Sequence, residues 1–179
     1  MEKVERLERV LKYKGAIVDV YSDHVRNPNG HEAEWDFIAH RKGAAAVVPV
    51  LDNGNLLMVR QYRNALDRET LEIPAGSRDS VDEPTQICAA RELEEETGYR
   101  SDDFEFLITV ATTVAFCNEK IDIYIARNLK KSKQHLDEDE FVDVCECTIE
   151  ELTDKIYSRQ IQDSKTIAAI LAYKDKYCR

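Results

Sequence analysis

The sequence predicts an α/β protein with a mixed β-sheet. Three observations lead to this fold class: strand patterns dominate the chain before residue 76, one helix pattern follows, and further strands precede two closing helices. The 179 residues suit one domain with a sizeable core. Hydrophobic residues make up 43% of the chain and charged residues 34%, a balance typical of a globular protein.

The N-terminal region is predicted to contain a β-hairpin. Residues 1–12 are charged and indicate a short helix or a frayed arm. Residues 16–26 and 31–41 alternate roughly between apolar and polar side chains, and the turn sequence Asn27-Pro28-Asn29-Gly30 lies between them. These two segments are therefore expected to pair as antiparallel strands.

A second hairpin is predicted directly after the first. Residues 44–51 are almost wholly apolar and predict a buried strand, Asp52-Asn53-Gly54-Asn55 turns the chain, and residues 56–62 form the next strand. A short strand at residues 70–73 then ends at Pro74-Ala75-Gly76.

The helix in the middle of the chain has recognisable ends. Pro84 suits its first turn, because the missing N–H needs no partner there. The helix is predicted to run to about Thr97, and Gly98 suits the position that follows it. The remaining predicted elements are strands at residues 104–112, 121–127 and 141–147 and helices at residues 149–158 and 163–177.

Composition and charge limit the function classes. The net charge of −10 argues against a general nucleic-acid binder, which needs a basic face, but it allows an anionic substrate if divalent cations lie between the two sets of negative charge. The N-terminus has no signal-peptide pattern, and no apolar run reaches the roughly 20 residues of a membrane helix. Five cysteines, an odd number, indicate a reducing cytoplasm.

The helix carries an acidic face. Glu92, Glu95 and Glu96 stand at positions i, i+3 and i+4, so they share one face, and Arg91 is next to them in sequence. Grouped hard oxygen ligands are what Mg²⁺ accepts. Glutamate-rich helix faces are more often simply solvated, so this run alone does not distinguish a metal site from a solvated surface. The tight turn at Gly76, directly after a strand, favours the metal site, because strand, loop and helix together then form one unit.

The segment from Gly76 to Tyr99 resembles the Nudix box, G-x5-E-x7-R-E-U-x-E-E-x-G-U, in which U is a bulky apolar residue. The match is complete from Glu83 onward, whereas six residues instead of five separate Gly76 from Glu83. We interpret this as a one-residue insertion in the loop. The resemblance implies a Nudix fold, with a mixed β-sheet in an α/β/α sandwich. It also implies an N-terminal antiparallel β-hairpin subdomain at residues 1–42 and a hydrolase domain at residues 43–179.

Further segments resemble the ADP-ribose/ADP-sugar pyrophosphatase branch of that family. They include Ala46-Val47-Val48-Pro49-Val50, Leu71-Glu72-Ile73-Pro74-Ala75-Gly76 and Asp163-Ser164-Lys165-Thr166-Ile167. This resemblance implies hydrolysis of the pyrophosphate bond in a nucleoside diphosphate linked to a group X, above all ADP-ribose to AMP and ribose 5-phosphate. Another nucleotide sugar or a dinucleotide is the first alternative, and a non-catalytic nucleotide-binding sensor is the second. The branch is typically homodimeric.

The resemblance also assigns roles to individual residues. It implies Mg²⁺, with Mn²⁺ as a substitute, held by the carbonyl of Ala75 and by Glu92, Glu95 and Glu96. It implies catalytic roles for Arg91, Glu95 and Glu119, with Glu119 as general base or as the residue that orients the attacking water. It implies substrate contacts from Arg63, Trp35, Phe116 and Gly76. For Trp35, stacking on adenine and packing within the hairpin both remain open.

The loop at residues 112–120 departs from the family pattern S-P-G-F-x-[DN]-E-[KR]. Phe116, Asn118, Glu119 and Lys120 fit, but Val114-Ala115 replaces Pro-Gly, which leaves the choice of substrate open. The four histidines have no recognisable ligand spacing and are expected on the surface or in the hairpin; they are His24, His31, His40 and His135. The acidic run Asp137-Glu138-Asp139-Glu140 is expected to be a loop whose end could approach the metal site.

Overall fold

The N-terminal residues form a three-stranded antiparallel sheet. The computed structural model describes residues 2–136, 138 and 140–178, and its first strands are β1 (Glu5–Lys14), β2 (Val18–Arg26) and β3 (Glu32–His40), in the order β1-β2-β3. The predicted hairpin of β2 and β3 is confirmed. The prediction of a helix or frayed arm at residues 1–12 was wrong, because the backbone of β1 pairs with the free edge of β2 while its side chains stay mostly exposed.

A mixed sheet forms the centre of the molecule. Its strands are β4 (Ala44–Pro49), β7 (Ala75–Ser77), β9 (Asp103–Ala111) and β10 (Lys120–Arg127), in the order β7-β4-β10-β9. Strands β4 and β10 are parallel, and the other neighbours are antiparallel. Strand β4 is buried along its whole length, and Ala45 and Val47 contribute to a different core from Ala46 and Val48. Burial on both faces explains its unbroken apolar sequence.

The strand after β4 belongs to another sheet. Strands β5 (Leu56–Arg63), β6 (Arg68–Glu72) and β12 (Val142–Cys147) form an antiparallel sheet in the order β12-β5-β6. The predicted second hairpin was therefore wrong beyond its turn, where one bridge joins Val50 to Leu56. The reason is that β7 and β10 already occupy both edges of β4. A small additional pair consists of β8 (Tyr99–Arg100) and β11 (Lys130–Lys131).

Helices cover both sides of the central sheet, as the predicted α/β/α sandwich requires. Helix α1 (Thr85–Thr97) packs Cys88, Ala89 and Leu93 against one face of β4. Helices α2 (Ile149–Tyr157) and α3 (Ser164–Tyr177) contribute to the core on the other side. Helix α1 ends at Gly98, which adopts a φ of 69° and suits that left-handed cap because it has no Cβ. None of the described helices is long and apolar enough to cross a membrane.

Candidate active site

Gly76 fits directly against the acidic face of α1. A Cβ atom built on Gly76 would overlap the carboxylate of Glu92, so any larger residue would push that carboxylate away. The glycine is thus required by a close approach of the strand to the helix. The short pairing of β7 with β4 fixes Gly76 opposite Ala45, which positions the contact.

Arg91 organises the carboxylates around it. Its Nη1 donates to Glu92 Oε1 at 2.7 Å and to Glu95 Oε2 at 2.9 Å, and its Nη2 donates to the carbonyl of Ser77 at 2.9 Å. Its Nε is buried without a hydrogen bond, although Glu83 Oε1 lies 3.6 Å away. Arg91 therefore ties the loop after Gly76 to the acidic face of the helix.

Glu83 rather than Asp82 reaches this network. The side chain of Glu83 is 11% exposed, whereas Asp82 is an exposed residue. Glu83 also accepts a hydrogen bond from the backbone N–H of Asp79 at 2.7 Å. The additional loop residue is therefore absorbed before Glu83, which supports counting the motif from Arg91.

Glu92 and Glu96 are buried carboxylates with perturbed acidity. Glu96 is 3% exposed and accepts a hydrogen bond from the backbone N–H of Ala75 at 3.0 Å. Burial, together with the charges of Glu92 and Glu140, raises the pKa of Glu96 to about 8. Burial also raises the pKa of Glu92 to about 7, with smaller contributions from Glu95 and Glu140. Both carboxyl groups are therefore harder to ionise than a glutamate in water.

Glu140 lies in the segment that was expected to approach the metal site. Its charge contributes to the raised pKa of both buried glutamates. Asp137 and Asp139 of the same run lie outside the described residues.

The acidic face suits a hard divalent cation by its chemistry. The ligands implied by the sequence are all oxygens, namely three glutamates and the carbonyl of Ala75, and Mg²⁺ prefers such ligands. Within residues 2–136, 138 and 140–178, no group of three acidic, histidine or cysteine side chains is already arranged to hold a metal ion. Glu92 and Glu95 are instead bonded to Arg91, and Glu96 is bonded to Ala75. One oxygen of each carboxylate is therefore engaged by the protein itself.

A cleft of about 400 Å³ lies next to this acidic face. It brings together four residues predicted from the sequence, namely Arg63, Ala75, Gly76 and Glu119. Residues that the sequence did not single out by role also line the cleft, namely Ser77, Thr112, Thr113, Asp163, Ser164 and Lys165. Glu92 and Glu96 stand behind the wall, in contact with Gly76 and Ala75 respectively.

Glu72 is a buried anion that anchors the cationic side of the cleft. It is 2% exposed and accepts from Nε and Nη2 of Arg63, both at 2.7 Å, and from Nζ of Lys165. Burial alone would raise its pKa, but the hydrogen bonds of Arg63 and the charge of Lys165 outweigh this and lower the pKa to about 2. In the sequence, Glu72 stands between Leu71 and Ile73 in an otherwise apolar segment. This position is the feature that could have indicated a buried carboxylate.

Glu119 has a neighbour that sequence reasoning missed. The Nε2 atom of His40 lies 3.6 Å from Glu119 Oε1, and the side chain of His40 is 8% exposed. His40 is the last residue of the hairpin strand β3, in agreement with the expectation that the histidines lie on the surface or in the hairpin, but its contact with Glu119 was not predicted. The sequence distance between residues 40 and 119 gave no sign of this contact.

The two aromatic residues implied as substrate contacts lie elsewhere. Trp35 on β3 is 48% exposed, and Phe116 is 45% exposed. Neither is among the described residues that line the cleft of this chain. The backbone carbonyl of Phe116 instead accepts a hydrogen bond from Ile38 at 2.7 Å, which joins its loop to β3.

Buried glutamates beside an open cleft, in a sheet covered by helices on both sides, suit a hydrolase of phosphate anhydrides, a class whose reaction generally uses divalent cations. A model of the NUDIX domain matches residues 40–169. The chain belongs to the Nudix family, and it is an enzyme of the pyrophosphohydrolase type.

Comparisons with individual proteins agree with this membership. The chain is 39% identical to a Bacillus methanolicus protein named methanol dehydrogenase activator, over 94% of this chain and 90% of the relative. It is also 39% identical to an ADP-ribose pyrophosphatase of Bacillus subtilis, over 88% of this chain and 85% of the relative. A crystal structure of an ADP compounds hydrolase superposes with a TM-score of 0.89 at 20% identity, covering 98% of this chain and 95% of the other, which shows the shared fold.

Proposed function

We propose that the protein hydrolyses the pyrophosphate bond of ADP-ribose to give AMP and ribose 5-phosphate. The observation that carries this proposal is the cleft in which Arg63 and Glu119 share a wall with Ala75 and Gly76, directly in front of the buried glutamates. Such a cleft combines a cation for phosphate oxygens with carboxylates for a metal ion. The name of the Bacillus subtilis relative supports ADP-ribose as the nucleotide substrate.

The proposed cofactor is Mg²⁺, with Mn²⁺ as a substitute. The proposed ligands are Glu92, Glu95, Glu96 and the carbonyl of Ala75. When bound, such a cation neutralises the diphosphate and makes a water molecule more acidic. The raised pKa values of Glu92 and Glu96 support the assignment, because a nearby cation would favour their charged forms.

The remaining residues position the substrate and move a proton. Two atoms of Arg63 are bonded to Glu72, so its other N–H donors can serve a phosphate or ribose oxygen in the cleft. Glu119 takes the proton of the attacking water, which forms a new bond to one phosphorus while the bond to the bridging oxygen breaks. Arg91 keeps Glu92 and Glu95 on the helix face where they are needed.

Two alternatives keep the same cleft but change its use. Another nucleotide sugar or a dinucleotide is the first alternative, since Val114-Ala115 in the loop before Glu119 departs from the ADP-ribose pattern. A sensor that binds nucleotides without hydrolysis is the second. The name of the Bacillus methanolicus relative is the observation that keeps a regulatory role in view.

A hydrolysis panel tests the function. We expect ADP-ribose to be split to AMP and ribose 5-phosphate with Mg²⁺, and no reaction to occur in EDTA. ADP-glucose, GDP-mannose and NADH should react more slowly, as judged by chromatography of the products. A faster reaction with one of these would favour the first alternative, whereas tight ADP-ribose binding without turnover would favour the sensor.

We also propose a homodimer in the cytoplasm, with residues 1–42 as a dimerisation region and residues 43–179 as the hydrolase domain. Several large apolar side chains of the N-terminal region are exposed, including Val10, Leu11, Tyr13 and Ile17. A surface of this kind favours a protein partner, and a second copy would cover it. Trp35 would then contact the partner's substrate. The free state of all five cysteines supports a reducing compartment.

Replacing Leu11, which is 48% exposed on β1, by lysine is expected to shift the dimer toward monomer. The added charge would have to be buried between the two copies, which is costly without a partner. Light scattering after size exclusion measures the mass. Lys12→Gln, on the same strand, is the control and should remain dimeric. A wild-type protein that is monomeric at all concentrations would contradict the proposed homodimer.

A further inference from the structure

We propose that His40 is a positioning residue that holds Glu119 in place for its role in hydrolysis. The inference rests on the proposed function, because it assumes that Glu119 handles the proton of the attacking water. It goes beyond that function by assigning the end of β3, in the N-terminal sheet, a direct part in preparing the cleft.

The turn after β3 fixes the tautomer of His40. The backbone N–H of Gly43 donates to His40 Nδ1 at 2.9 Å, and Gly43 adopts a φ of 73° that favours glycine. Because Nδ1 accepts this bond, the ring hydrogen of the neutral imidazole is on Nε2. Nε2 is the atom that lies 3.6 Å from Glu119 Oε1. His40 therefore has its N–H donor on the ring atom nearest the carboxylate.

The loop before Glu119 is attached to the same strand. The N–H of Ile38 donates to the carbonyl of Phe116 at 2.7 Å, and the N–H of Asn118 donates to the carbonyl of Ile38 at 3.3 Å. The side-chain oxygen of Asn118 also accepts from the N–H of His40 at 2.8 Å. These three bonds place the Glu119 backbone at a fixed distance from the imidazole.

The burial of the pair fits a positioning role. The side chain of His40 is 8% exposed and that of Glu119 is 25% exposed, so the imidazole is fixed while the carboxylate still reaches the cleft. The distance of 3.6 Å is longer than a hydrogen bond, and such contacts often tighten when substrate binds. A rotation of the Glu119 side chain would bring Oε1 within hydrogen-bond distance of His40 Nε2.

The test compares His40→Leu, which lacks the donor, with His40→Gln, whose amide N–H can take the place of Nε2–H. We expect kcat of His40→Leu to fall about tenfold to a hundredfold, with KM changed less than about twofold, because misplacement of a reacting group affects turnover more than binding. His40→Gln should recover most of the loss. His24→Gln is the matched control, since His24 contacts Glu32 and Glu34 on the same sheet.

A double-mutant cycle with Glu119→Gln separates the outcomes. If His40 acts through Glu119, adding His40→Leu to Glu119→Gln should lower kcat no further. Additive losses, an unaffected kcat in His40→Leu, or no recovery in His40→Gln would each overturn the role of His40 while the reaction stands. Full activity of Glu119→Gln would remove the base assignment together with this inference. Absence of hydrolysis by the wild-type protein would remove the proposed function itself.

Discussion

Replacing Glu96 by glutamine is expected to reduce Mg²⁺-dependent hydrolysis about a thousandfold, because a metal ligand contributes several kcal/mol of charge stabilisation to the transition state. The same change should stabilise the metal-free protein at pH 8. Glu96 is 3% exposed, and glutamine has nearly the same shape without a charge to bury. A loss of activity with a gain in stability would mark a residue kept for function.

The stability gained by Glu96→Gln is expected to increase with pH. The pKa of Glu96 is about 8 in the folded protein, far above the ordinary value of 4.5, so the folded state retains a proton that the unfolded state releases. The free energy of unfolding of the wild type should therefore fall as the pH rises from 4.5 to 8, on the order of 4 kcal/mol from this group, and the decline should be smaller in Glu96→Gln, where only Glu92 keeps a raised pKa. Urea unfolding in EDTA at several pH values measures it.

Glu94→Gln is the matched control for Glu96→Gln. Glu94 lies on the same helix, and its side chain accepts a hydrogen bond from Ser132 away from the cleft. This variant should retain activity. Added Mg²⁺ should raise the melting temperature of the wild type and of Glu94→Gln, but much less that of Glu96→Gln. Unchanged hydrolysis by Glu96→Gln at saturating Mg²⁺ would contradict the metal assignment.

Replacing Glu72 by glutamine is expected to destabilise the protein by about 3 kcal/mol at pH 7, because it removes the anion from a buried ion cluster. The side chain of Lys165 is 9% exposed and would retain Asp163 as its remaining ion-pair partner, at 2.9 Å. Arg63 would lose both bonds of its fork, so KM for the substrate should rise as well. Urea unfolding and steady-state kinetics measure the two effects.

Acid should weaken the effect of Glu72→Gln. The pKa of Glu72 is about 2 in the folded protein, below its ordinary value of 4.5, so its stabilising contribution is fully present above 4.5 and is lost as the pH falls through 2. The difference between wild type and variant should therefore shrink below pH 4.5. Glu69→Gln, an exposed position on the same strand, should change neither stability nor KM. A stable Glu72→Gln protein with normal KM would contradict the role of the cluster.

The parts of the fold that depend on local sequence were predicted well. Helix α1 was placed to within a residue at each end, because Gly98 ends it and the apolar spacing of Ala89 and Leu93 defines its inner face. The strand at β1 was missed because its side chains stay exposed, so no burial pattern marks it. The pairing of β5 was missed because it depends on which edges of β4 are already occupied, and this is a property of distant segments.

The sequence by itself determined the family and the acidic helix face, since both follow from the spacing of residues within one helix and the loop before it. The tertiary structure decided which residues share the cleft. Arg63 is fixed by a buried Glu72 that also binds Lys165 from α3, and Glu119 faces His40 from the end of β3. These contacts join residues far apart in the chain, and their electrostatics depend on burial, which only the packed fold supplies.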